Sequence, residues 1–203
     1  MEQTLYLRVK KNGLHHFFPL FQQGVIITTQ VGVNIQDLLS LQLEIPPDYV
    51  ENRIQTIFLD GEAVDDLGEA VVRDGSTLAL SAAMPGLVGA TLRRGGAFAS
   101  LRQSITFSPG GEAIPQKEGR IVLKLFNLLV SELGPHLLAQ GVRLKGEELH
   151  RFLGGLPKDF WDECQEVVMN GLKIDLHFDM STLWFEKDSL VLLKVTSIPT
   201  SDM

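Results

Sequence analysis

The sequence is poor in the features that mark secreted, membrane and nucleic-acid-binding proteins. It has one cysteine, Cys164, so it cannot form an internal disulfide. It has no apolar run near the roughly 20 residues of a spanning helix, and no charged-then-apolar secretory pattern. The net charge of −7 does not favour nonspecific binding to nucleic acid or anionic membranes. We therefore expect a cytoplasmic protein that binds neither nucleic acid nor membrane.

Motifs that carry catalytic chemistry are also absent. The chain lacks the G-x-x-x-x-G-K-[ST] and G-x-G-x-x-G patterns of phosphate cradles, so no cofactor is expected. His177 and Asp179 share a strand face, but no third metal ligand accompanies them, so no metal is expected. Cys164 lies among acidic residues on an apolar stripe, which favours packing over reactivity. We expect a protein without a catalytic site.

The first half has the pattern of a small α+β domain. Asn34 is a suitable cap for a short helix that has to end before Pro46. Asp-Gly pairs at 60–61 and 74–75 supply positive-φ turn positions. Alternating or β-branched runs predict four strands, at 4–9, 24–31, 54–59 and 77–81.

The second half predicts a mixture of helices and strands, and the chain as a whole shows no internal repeat. Residues 120–126 suit a strand or the start of a helix, and Gly134-Pro135 is expected to interrupt or kink any helix there. Helices are predicted at 146–153 and at 158–169, the second closed by Asn170-Gly171. Residues 183–185 and 190–195 are predicted to form a hairpin.

Residues 75–111 contain no acidic residue, many small residues, and three arginines, Arg93, Arg94 and Arg102. Backbone amides and these arginines could bind an anion. The same segment could instead pack against another element, a protein partner or another copy of the chain. We favour packing or partner contact. Phe98, Leu101 and Ile105 have helical spacing, so part of the segment is expected to be a helix, and Phe98 is expected in the core or in an interface.

The hairpin pattern of the first half resembles the β-grasp fold. Phe58-Leu59-Asp60-Gly61, followed by 73–78 (Arg-Asp-Gly-Ser-Thr-Leu), is similar to the ubiquitin-like sulfur carriers of thiamin and molybdopterin synthesis. The resemblance covers about residues 1–85 and implies a β-grasp domain. Those carriers end at a Gly-Gly whose carboxylate is converted to a thiocarboxylate. In this chain Gly95-Gly96 follows two arginines, as in the tail of ubiquitin, and over a hundred residues come after it.

The sequence thus predicts an α+β protein: a β-grasp-like domain at 1–85, a connecting segment at 86–111 and a mixed α+β domain at 112–203, which resembles no family. The favoured function is a non-catalytic protein-binding or scaffold protein that contacts a partner or itself. One alternative is a carrier precursor processed after Gly96. Another is an anion- or small-molecule-binding protein or enzyme with a site between the two modules, using Arg93, Arg94 or His177.

Overall fold

The chain folds into α-helices and β-strands, which confirms the α+β class. The computed structural model describes residues 2–108, 110, 114–175 and 183–198. The strands are β1 Gln3–Lys10, β2 Val25–Val31, β3 Thr56–Leu59, β4 Glu62–Ala63, β5 Thr77–Ser81, β6 Lys117–Phe126, β7 Val142–Lys145, β8 Cys164–Met169, β9 Leu172–Ile174 and β10 Leu190–Ile198. The α-helices are α1 Phe18–Gln23, α2 Ile35–Asp37, α3 Pro47–Arg53, α4 Gly86–Leu92, α5 Leu128–Gln140, α6 Gly146–Gly154 and α7 Lys158–Glu163. Lys11–Phe17 and Ala99–Ile105 are 3-10 helices, and Leu38–Gln42 is a π-helical turn.

The chain divides into two compact units. Unit 1 joins Met1–Leu20 to Leu133–Met203, and unit 2 is Phe21–Glu132. These bounds differ from the division at residues 85 and 111 that the sequence suggests. They differ because β1 pairs with strands near the C-terminus, β10 and β8. A local sequence pattern identifies a strand but does not specify its partner.

The strands of unit 2 lie in the order β4-β3-β5-β6-β2. Strands β5 and β6 are parallel, and the other neighbouring strands run antiparallel. Helix α2 is capped by Asn34, whose side chain accepts a hydrogen bond from the Asp37 amide as predicted. Apolar side chains of the inner strands are fully buried, among them Leu78, Leu80 and Leu123.

The strands of unit 1 lie in the order β7-β10-β1-β8-β9. Strands β1 and β10 are again parallel, and the other neighbouring pairs are antiparallel. Leu5, Leu7 and Val9 of β1 are buried, so the strand face that alternation predicts is the core face. Cys164, at the start of β8, is also buried, and burial raises the pKa of its thiol. The packing role predicted for it is confirmed.

The elements of the chain form a tandem repeat, which the sequence analysis missed. The first half runs β1-α1-β2-α2-α3-β3-β4-β5, and the second runs β6-α5-β7-α6-α7-β8-β9-β10. Three junctions match in sequence and backbone. Helices α1 and α5 both end at a glutamine that is followed by Gly-Val, with Gly24 at φ 118° and Gly141 at φ 112°.

The other two junctions flank the third helix of each half. Pro46 and Pro157 each cap a helix that begins at the next residue, α3 or α7. Gln55, just before β3, and Gln165, within β8, each stand five residues before a hairpin turn, at Asp60-Gly61 and at Asn170-Gly171, and both residues of each turn have positive φ. We conclude that the order of elements is duplicated. The strand pairing is not fully duplicated, because β3 pairs with β5 whereas β8 pairs with β1.

The helix predicted at 158–169 is wrong over its second half. Residues 164–169, expected within a helix from 158 to 169, form strand β8. Asn170-Gly171 is a turn with two positive-φ residues, which suits a two-residue hairpin as well as a helix end. Pro135 lies inside α5 without ending it. The helix keeps its buried leucines, Leu129, Leu133, Leu137 and Leu138, so tertiary packing outweighs the local cost of the proline.

The hairpin predicted near the C-terminus also differs from the structure. Leu183 and Phe185 are buried, but they lie outside any strand, so the hairpin predicted with 190–195 does not form. The strand at 190–195 itself is confirmed as β10.

Glu132 in unit 2 gives a pH-dependent contribution to stability. It accepts hydrogen bonds from Arg53 at 2.9 and 3.2 Å and from the Tyr49 hydroxyl. The hydrogen bonds from Arg53 lower the pKa of Glu132 from 4.5 to about 2, against the effect of burial. A lowered pKa means that the stabilisation is full above about pH 4.5 and is lost as pH falls toward 2.

We therefore expect Glu132→Gln to lower the urea midpoint at pH 7, and the two midpoints to converge as pH approaches 2. Urea titrations of both proteins across this range test the prediction. Glu62→Gln, at an exposed strand residue, serves as the control. A midpoint difference that stays constant with pH contradicts the assignment.

Candidate functional site

The three predicted arginines lie on the segment that joins the two repeats, between β5 and β6. We call residues 86–107 the connector. It forms α4 and the 3-10 helix Ala99–Ile105, which contact one another. The connector has no counterpart in the repeated order of elements. It is therefore the part of unit 2 that the duplicated fold does not require.

Arg102 is buried and holds the connector in place. Only 3% of its surface is exposed. Its guanidinium donates to the Thr91 carbonyl at 2.9 Å, to the Thr106 hydroxyl at 3.0 Å and to Asp65 at 2.6 Å. Since all these partners belong to unit 2, Arg102 is a structural residue. The prediction that it contacts an external anion does not fit this geometry.

Arg94 and Arg93 differ in their environment. Arg94 donates to the Glu51 carboxylate at 3.3 Å and to the Glu51 carbonyl at 3.3 Å. Arg93 is exposed and has no ion-pair partner among the described residues. Arg93 is therefore the member of the predicted set that can bind a carboxylate or phosphate from outside.

Both residues line a cavity of about 740 Å³ in unit 2. Its wall combines connector residues with the helix α3 region and the loop before β5. The lining residues are Gln36, Glu51, Ile54, Gln55, Asp65, Asp66, Leu67, Gly68, Arg93, Arg94 and Gly95. Glu51 and Asp65 are neutralised by Arg94 and Arg102. The Gln55 side-chain oxygen is buried without a hydrogen-bond donor. The cavity is polar and carries both signs of charge.

The Gly95-Gly96 pair is held in a turn. The Gly95 amide donates to Asp65 at 2.8 Å, and the Gly96 amide donates to the Arg93 carbonyl at 3.1 Å. Gly95 has φ 60°, which favours glycine. A carrier tail needs a free backbone, whereas this backbone is bound to its own unit. The geometry gives no support to the proposed processing after Gly96.

The connector also exposes a group of large apolar side chains. Between 42% and 69% of the surface of each is accessible, and they are Leu87, Val88, Phe98, Leu101 and Ile105. Phe98 was expected in the core or in an interface, and its exposure removes the core alternative. Leu87 and Val88 carried no signal in the sequence beyond their apolar character.

Other candidate chemistry gains no support. Within the described residues there is no group of three or more His, Cys, Asp or Glu side chains that could hold a metal ion. His177 and Asp179 lie outside the described residues. None of the helices described is both long and apolar enough to cross a membrane. No protein-family model, curated protein or solved structure matches the chain significantly.

Proposed function

We propose that the protein is a non-catalytic protein-binding protein and that the connector is its contact surface. The observation that carries this proposal is the exposure of five large apolar side chains on one 22-residue segment, 86–107. Scattered exposed apolar residues are ordinary, but grouped ones mark interaction sites in soluble proteins. Aromatic and aliphatic anchors of this kind supply most of the energy in protein interfaces.

The electrostatics of the connector indicate the kind of partner. The connector has no acidic residue in a chain whose net charge is −7. Two of its three arginines are paired within unit 2, and Arg93 is left to face the partner. An apolar partner surface with a carboxylate at its rim complements both features. The duplicated elements need none of these side chains, so the connector is free to serve recognition.

The test replaces apolar side chains without disturbing Arg102. We expect Leu87→Ser with Leu101→Ser to weaken partner binding or self-association by at least about tenfold, since exposed anchors are lost. Stability should change by less than about 0.5 kcal/mol. Sedimentation velocity measures self-association. Photo-crosslinking from position 88 in the native host, followed by quantitative binding, measures a partner.

Leu41→Ser is the matched control, because Leu41 is 74% exposed on the π-helical turn, outside the connector. Equal effects of the connector and control variants contradict a contact surface on the connector. So does unchanged association of the double variant. A double variant that unfolds is replaced by the single substitution Leu101→Ser.

We further propose that unit 2 carries a β-grasp-like fold. The order helix, β3, β4 and β5 in unit 2, with the Asp60-Gly61 turn between β3 and β4, supports the resemblance. The first strand of the domain predicted from the sequence, β1, belongs to unit 1. In unit 2 the strand that pairs in parallel with β5 is β6. A solved structure of residues 21–132 within the full chain tests this assignment.

Anion or small-molecule binding in the unit 2 cavity is the second candidate function. It is favoured by Arg93 at the cavity wall, which has no ion-pair partner within the part of the chain that the structure describes. Arg93→Ala should then abolish binding of a polyanion such as pyrophosphate in calorimetry and leave protein association unchanged. If calorimetry detects no binding of pyrophosphate to the wild-type protein, this candidate function is excluded.

A further inference from the structure

We propose that the chain is a covalent fusion of two copies of one fold that complete each other by exchanging their first strands. On this proposal, residues 2–108 and 114–203 are obligate partners of one another, and the covalent link between them is not required once they have folded. The inference does not depend on the proposed function of the connector.

The first step is the duplication itself. The two halves share eight elements in the same order and three matched junctions. The matches include conformations that few residues adopt. Asp60 and Asn170 both have φ 52° at the start of a hairpin turn, and both are followed by glycine at φ 80–90°. Agreement in sequence and in backbone at equivalent places points to two copies of one unit.

The second step is the placement of the first strand of each half. Strand β1 of the first half pairs in parallel with β10, the last strand of the second half, from Gln3↔Val191 to Lys10↔Ile198. Strand β6 of the second half pairs in parallel with β5, the last strand of the first half. The exchange is therefore reciprocal.

The other neighbours of the exchanged strands differ between the units. Strand β6 also pairs antiparallel with β2, the second strand of the first half. Strand β1 pairs antiparallel with β8, the third strand of the second half. Both exchanged strands are thus inner strands with partners on two sides. Neither can be removed without leaving two rows of backbone groups unpaired.

The third step is energetic. Strand β1 buries Leu5, Leu7 and Val9, and strand β6 buries Ile121, Leu123 and Leu125. Each exchanged strand therefore supplies three core side chains to the unit that holds most of the other half. A half-chain alone lacks the inner strand that the other half supplies. Its own first strand is then left without partner strands and without the core that buries its apolar side chains. Each half is thus the binding partner that fits the other.

The main experiment cuts the folded full chain. A protease recognition sequence is inserted between Gly110 and Gly111, and the purified protein is cleaved under native conditions. We expect the two fragments to remain together in size-exclusion chromatography and native mass spectrometry at micromolar concentration. In denaturant they should separate, and remixing them should restore the complex. Separation of the fragments under native conditions, folded or unfolded, overturns the proposal.

A second experiment on the uncut chain serves where the insertion prevents folding. Leu7→Ala and Leu123→Ala are matched substitutions at fully buried leucines of β1 and β6. In hydrogen exchange, Leu7→Ala should accelerate the amides of β8 and β10 by at least about tenfold, and Leu123→Ala those of β2 and β5. If Leu7→Ala affects β2 and β5 and spares β8 and β10, the exchange of strands is refuted.

Discussion

Replacing Arg102 by alanine is expected to destabilise the protein by about 2 kcal/mol and to release the connector from unit 2. Removing one member of a buried ion pair costs about 3 to 5 kcal/mol. Asp65, the partner of Arg102, is 37% exposed, so water can replace part of the lost interaction. The Thr91 carbonyl also loses its donor. Urea unfolding measures the loss.

Hydrogen exchange over residues 91–106 locates the effect of Arg102→Ala. We expect faster exchange there than in β3 and β5, because the guanidinium joins Thr91, Thr106 and Asp65. Arg93→Ala is the control. This neighbouring arginine is exposed and unpaired among the described residues, so its loss should change stability by less than about 0.5 kcal/mol. Equal stability losses for the two variants are incompatible with an anchoring role for Arg102.

Comparing two variants then distinguishes the role of the exposed connector side chains from the role of the connector's position in unit 2. Arg102→Ala disturbs the placement of the whole connector, whereas Leu101→Ser alters one exposed side chain. If the proposed contact surface is correct, both variants weaken partner binding, and Arg102→Ala alone lowers the free energy of unfolding. A binding defect confined to Arg102→Ala assigns recognition to the cavity rather than to the apolar side chains.

Substituting Gly146 by alanine is expected to cost about 3 kcal/mol, the larger of the two effects. Gly146 is buried where helix α6 begins, and its amide donates to the Ser189 carbonyl at 2.9 Å. A Cβ added at Gly146 would lie 2.2 Å from the Glu186 carbonyl oxygen and 2.9 Å from the Phe185 Cβ. Backbone cannot yield as a flexible side chain can, so the helix and the loop must separate.

Gly154→Ala is the matched control for Gly146→Ala. It lies at the other end of helix α6, and a Cβ there meets no atom within 4 Å. Alanine has the higher helix propensity, so we expect a change between zero and about 1 kcal/mol in the stabilising direction. Chemical unfolding of both variants gives the comparison. A Gly146→Ala protein as stable as the wild type shows that α6 does not pack closely on residues 185–186.

Local sequence patterns predicted those elements that local forces decide. Alternation identified β1, and the Asn34 cap was correct because a side chain that bonds the nearby Asp37 amide needs no distant partner. The 158–169 helix failed because Asn170-Gly171 suits both a helix end and a hairpin. Pairing of β8 with β1 decided between the two.

The candidate site was predicted in part. The acid-free composition pointed to a segment whose Arg93 and Arg94 line a cavity. Composition could not distinguish an exposed arginine from a buried one. Arg102 is buried because Asp65, 37 residues earlier in the chain, reaches its guanidinium. The sequence also could not predict that Leu87 and Val88 are exposed, because an apolar residue is compatible with a core position and with a surface position.

The sequence by itself determined the α+β class, most strand positions, the turns at Asp60-Gly61 and Asp74-Gly75, and the segment that is free of acidic residues. These features depend on residues close together in the chain. The tertiary structure alone decided that β1 joins unit 1 and β6 joins unit 2. Strands β1 and β6 both alternate between buried and less buried residues, and both have partner strands on two sides. A local pattern does not specify which strand becomes the partner, so the sequence could not predict that β1 pairs with β10 or that β6 pairs with β5.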